Sequence, residues 1–149
     1  MKKLIILSIL IASAFVTKAQ TNPVSWTFTS KKLEDKKYEF KLTATIQSGW
    51  HLYSQTQPED AVAMPTTITI NKNPLLILDG KIKEVGKLEK FHDAKVNVSA
   101  NQYSTKVEFV QVVKLKSSAK TKISGSVTFQ TCDDVKCLRP ETVPFSVVL

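Results

Sequence analysis

An all-β, antiparallel fold is what this sequence predicts, on three observations. Apolar residues recur with period two, short runs rich in β-branched and aromatic residues are separated by turn formers, and no segment carries an apolar stripe of period 3.6. Residues 24–28, with Trp26 and Phe28, give the first run. The clearest follows: Tyr38, Phe40, Leu42, Ala44 and Ile46 alternate with Glu39, Lys41, Thr43 and Thr45, which puts the apolar set on one face of a half-buried strand. Residues 66–70, 75–78, 107–115, 123–130 and 143–149 supply the others. Reversals are expected at Ser48-Gly49, Asn71-Lys72-Asn73-Pro74, Asp79-Gly80 and Ser117-Ser118. Seven or eight such strands in about 130 residues predict an immunoglobulin-like antiparallel β-sandwich.

The chain has 149 residues, 42% hydrophobic and 23% charged, with 4 Gly, 6 Pro and 2 Cys, enough for one packed domain and too little cysteine for a disulfide scaffold. The first nineteen residues read differently. Lys2 and Lys3 precede an apolar run over residues 4–16, and Thr17-Lys18-Ala19 offers small residues for cleavage near Ala19, the pattern of a secretory signal peptide. Thirteen residues rise about 20 Å as a helix, short of a bilayer core of roughly 30 Å. The expectation is therefore a signal peptide over 1–19, a single domain over 20–149, and an exported, periplasmic mature chain.

Without Lys2, Lys3 and Lys18, the 21 basic side chains become 18 against 13 acidic ones, a net charge of about +5. The lysines are scattered among acidic residues, and Arg139 is the only arginine, so no stripe of arginine forks exists to clamp phosphates. Nucleic acid is excluded as a partner on this ground. The lysines read as solvated strand faces and turns.

The chemistry concentrates in Cys132-Asp133-Asp134-Val135-Lys136-Cys137. In an exported protein, two thiols this close are expected as a disulfide, either a redox tool or a structural staple. As a staple, a ring of about six residues yields only about 2 kcal/mol. Lys136 and Arg139 favour a thiolate, while Asp133 and Asp134 oppose it. Two cysteines with His51 and His92 remote in sequence make no zinc motif, so no metal and no cofactor are expected. Pro140 and Pro144 fit an edge position for the cysteines.

Phe129-Gln130-Thr131-Cys132, four residues, then Cys137-Leu138-Arg139-Pro140-Glu141 resembles the active-site hairpin of the N-terminal periplasmic domain of DsbD-type thiol:disulfide interchange proteins. Two further segments agree: Gly49-Trp50-His51-Leu52-Tyr53-Ser54-Gln55 resembles the family's Gly-aromatic-x-Leu-Tyr segment, and Glu89-Lys90-Phe91-His92-Asp93 its cap loop. The resemblance implies a protein-disulfide reductase type of activity. A membrane-embedded electron-transfer module would reduce Cys132 and Cys137, and the pair would pass the electrons to periplasmic thioredoxin-like proteins. It also implies Phe91 as a shield over the pair and Tyr53, His51 and Glu89 as neighbours tuning it. His51 falls where the family often has tyrosine, Arg139 replaces a common proline, and Lys90 stands where an acidic residue can occur. Because the chain ends at Leu149, the membrane module is expected as a separate chain, and the domain as a monomer. On composition alone, Tyr53 reads as a core aromatic and Glu89 as an exposed charge. The alternative function is a secreted β-sandwich interaction module whose disulfide is only structural.

Overall fold

The protein is described by a computed structural model covering residues 22–149, so the expected signal peptide and its cleavage site lie outside the described residues. Strand β1 (Val24–Glu34) and strand β2 (Lys37–Ile46) form the first hairpin, closed through Lys36 at φ 57°. Strand β8 (Lys106–Leu115) pairs with β2, and β5 (Leu76–Gly86) with β8, giving a sheet ordered β1-β2-β8-β5. A second sheet is ordered β11-β9-β4, from β11 (Glu141–Val148), β9 (Lys122–Phe129) and β4 (Thr67–Ile70). A third is ordered β10-β3-β7-β6, from β10 (Thr131–Cys132), β3 (His51–Tyr53), β7 (Val98–Tyr103) and β6 (Glu89–Asp93). Every strand pairing among the described residues is antiparallel.

The alternation in β2 places Phe40, Leu42 and Ala44 fully inside, facing Phe129, Ile123, Val127 and Phe145 of the second sheet across the main core. Trp26 packs into this core with its ring tilted against Phe109 and Phe129, at centroid separations of 5.9 and 5.2 Å. At Gly125, β9 and β4 approach so closely that a Cβ would collide with the carbonyl oxygen of Thr69 and lie 2.8 Å from Phe145 Cζ. Pro144 sits within β11, at the edge of its sheet, where a missing N–H breaks no inner ladder.

Among the described residues, eleven strands stand where seven or eight were expected. Asp79-Gly80 does not reverse the chain. It lies inside β5 as an irregularity between Asp79 and Lys83, with Gly80 at φ 77° and the buried Gln111 amide donating to both carbonyls at 3.3 Å. The segment read as a cap loop is also a strand, β6, paired with the unforeseen β7. Polar residues on both faces of these two strands hide their period.

Candidate functional site

Strand parity sorts the third sheet into two faces. Leu52 of β3 and Tyr103 of β7 point into the main core. The intervening residues point the other way, where Tyr53, Ala100 and Cys132 form a small second cluster with Ala63 against it. Cys132 stands directly across from His51, Tyr53 from Gln102, Gln102 from Glu89, and Ala100 from Phe91. All six residues expected at the site, save Cys137 on the returning arm of the hairpin, therefore occupy one sheet face or its rim by register alone.

Cys132 and Cys137 are bonded, with their Cα atoms 3.9 Å apart. The turn between them is held independently of that bond. Asp133 N donates to Lys136 O at 2.9 Å, Leu138 N to Thr131 O at 2.8 Å, and the Asp133 carboxylate accepts from Val135 N and Lys136 N at 2.8 and 2.7 Å. Gln130 adds a side-chain bond to Leu138 O at 3.1 Å. The two sulfur residues differ in access: Cys132 is 3% exposed, whereas Cys137 is exposed.

The amides of Lys136 and Val135 hold the Asp133 carboxyl below its ordinary value near 3.8. Because the folded value is the depressed one, the stabilisation is present above the ordinary value and is lost as pH falls through the folded one. The Val135 and Lys136 amide resonances are accordingly expected to titrate together below pH 3.8 in an NMR pH series. Independent or absent titration would show that the carboxylate does not hold the turn.

The disulfide opens on a cavity of about 820 Å³ that His51, Tyr53, Phe91, Gln102 and the 132–137 hairpin line. Phe91 stands at its edge, 48% exposed, with Val62 and Val135 also exposed there. Tyr53 is both core and wall: it is 7% exposed, and burial raises its hydroxyl's pKa, so it stays a neutral phenol. Glu89 is half-buried rather than free, accepting from Ser104 Oγ at 2.5 Å. His51 Nδ1 lies 3.0 Å from the same Ser104 Oγ and 3.2 Å from Gln102 Nε2, and Nε2 lies 3.4 Å from Asp134 Oδ1. His92 lies on the opposite face of the sheet, beside Ser99 at 3.0 Å, and so does not converge with His51 and the cysteines. Gln102, Ser104, Val62 and Ala63 carry no motif in sequence and reach the site only through pairing or loop packing.

The family description "Thiol:disulfide interchange protein DsbD, N-terminal" matches residues 18–149. The chain belongs to this family. Among solved structures, the N-terminal periplasmic domain of ScsB from Proteus mirabilis is similar at 19% identity and a TM-score of 0.57, covering 90% of this chain and 49% of that one. This chain thus spans about half the length of the ScsB domain, and the likeness carries the fold, an immunoglobulin-like antiparallel sandwich. The DsbD N-terminal domain of Neisseria meningitidis, in its reduced form, matches at 14% identity and a TM-score of 0.49, over 80% of this chain and 82% of that one. No curated protein sequence matches. The chain is thus a member of the DsbD N-terminal family whose cysteine pair is bonded within one hairpin.

Proposed function

We propose that the domain, exported through a signal peptide over residues 1–19, relays electrons in the periplasm from a membrane-embedded electron-transfer module to thioredoxin-like proteins through Cys132 and Cys137. The observation that carries this reading is the unequal access of the two cysteines beside an open cavity. In the reduced domain the Cys137 thiolate attacks a partner disulfide, bonding to one sulfur and releasing the other as a thiolate. Cys132, deprotonated, then attacks Cys137 Sγ, re-forming the internal bond and releasing the second partner thiolate. Two electrons pass to the partner, and the domain's two thiol protons go with them or to water. Phe91 shields the pair from stray thiols at the cavity edge and moves aside when a partner docks. Tyr53 shapes the cavity wall, and Glu89 acts from behind it through Ser104 and His51.

The hairpin's own backbone bonds argue against a mere staple, since the turn is already closed without the sulfur bridge. Equilibration in thiol redox buffers, with alkylated thiols counted by mass, is expected to give a potential of roughly −180 to −270 mV. A value below about −300 mV would instead mark a structural disulfide and an interaction module.

A further inference from the structure

Attack on the exposed Cys137 creates a difficulty one residue deeper. The incoming thiolate bonds to Cys137 Sγ, the Cys132–Cys137 bond breaks, and the electron pair leaves on Cys132 Sγ. That leaving thiolate is 3% exposed, so little water reaches it, and its own turn presents the carboxylates of Asp133 and Asp134 to the same cavity. The groups facing it are few. Tyr53 contributes a neutral hydroxyl, Lys136 sits on the exposed turn, and Glu89 adds a further negative charge through Ser104.

His51 is the exception. It is the residue directly opposite Cys132 in the β3–β10 pairing, where side chains share a face with Cβ atoms about 5 Å apart. Its ring is also placed between two carboxylates. Ser104 spends its one proton on Glu89, and the Gln102 amide nitrogen faces His51 Nδ1 at 3.2 Å and donates to it, with Ser104 Oγ 3.0 Å from the same ring nitrogen. Asp134 asks for an N–H from Nε2. An imidazolium, with an N–H on both nitrogens, donates to Asp134 and Ser104 together once the Gln102 amide turns its oxygen toward the ring.

We propose that His51, placed between Asp134 and the Ser104–Glu89 pair, is the positioning residue that takes up a proton and so offsets the charge of the Cys132 thiolate when the disulfide opens. The role rests on the interchange reading above for the order of attack, yet its test needs no partner protein. It also accounts for a histidine at the head of β3, where an apolar or aromatic residue would wall the cavity equally well.

The test is the rate at which a small dithiol reduces the disulfide of the full chain, for wild type and His51→Gln, across pH. The ratio of the two rates removes the attacking thiol's own titration. Histidine changes charge between about pH 5 and 8, so His51→Gln is expected to slow reduction about five-fold near pH 6 and leave it unchanged above about pH 8.5. A loss of equal size at every pH would mean a structural role only, and no loss would mean no role; either overturns the proposal. As a second measure, Cys137→Ser isolates the Cys132 thiol, whose thiolate absorbance is expected to titrate at higher pH when His51→Gln is added. Coincident titrations would overturn the proposal even if the rates differ. The potential of the wild-type pair decides the interchange reading separately, so failure of one is not mistaken for failure of the other.

Discussion

Reduced Cys132→Ser is expected to accumulate a mixed disulfide with an oxidised thioredoxin-like protein, and Cys137→Ser to accumulate about ten-fold less in the same time. The asymmetry follows from access. A protein disulfide must bring its sulfur into line with the attacking thiolate, and only Cys137, on the returning arm of the hairpin, is open to that approach. Cys132 is walled by Tyr53, Ala100 and Ala63, which makes it suited to intramolecular resolution after the first bond has formed. Removing Cys132 therefore leaves an attacking thiol with nothing to resolve it, and the intermediate persists. Non-reducing electrophoresis with mass analysis of the adduct reads the result. Equal trapping, or preference for Cys132, would invert the assignment of outer and inner sulfur.

Gly125→Val is expected to cost about 3 kcal/mol or more and to lower the midpoint of thermal unfolding by roughly 10 °C. The cause is contact rather than backbone freedom. A Cβ at this position meets the backbone of Thr69 and comes within 3.0 Å of Ile70 Cα, and neither can swing away as a side-chain tip would. Relief requires β4 to move off β9, which opens the main core beside Phe145. Gly49→Ala provides the contrast: nothing lies within 4 Å of its added Cβ, and only the φ of +81° resists substitution, so about 1 kcal/mol is expected. Similar losses at the two positions in calorimetry would show that β4 yields easily.

Much of this arrangement is legible in the chain, and the boundary of legibility has a physical origin. The strands that close the main core announce themselves because one face must be apolar; β2 and β8 bury the central residues that their alternation marks, with Tyr38 and Leu115 half-buried at the strand ends and Gln111 a polar side chain at a buried core position. The strands that carry the site do not. In β7, Ser99, Ala100, Asn101 and Gln102 offer no continuous apolar face, since one side meets a half-polar cavity and the other carries half-buried Ser99 and Asn101 before Tyr103 enters the main core. Phe91 in β6 looks like a loop residue for the same reason. Asp79-Gly80 is misleading in another way, because the residues that make turns also make bulges. The cysteine pair and its neighbours are recoverable as motifs. The pairing of His51 with Asp134, and the different depths of the two sulfurs, depend on how a hairpin distant in sequence lies across β3.

The division of β3 between Leu52 on one side and His51 with Tyr53 on the other has a consequence for how such a chain can change over time. Three residues serve the interior and the reactive surface at once, so a single inserted or deleted residue between Trp50 and Ser54 would exchange the two roles: the histidine and tyrosine would enter the main core and the leucine would line the cavity. Length changes in this stretch are tolerable only in pairs, or at the turns beyond it. The site is thus inherited with the packing beneath it, and point substitution is the route left open for adjusting its chemistry.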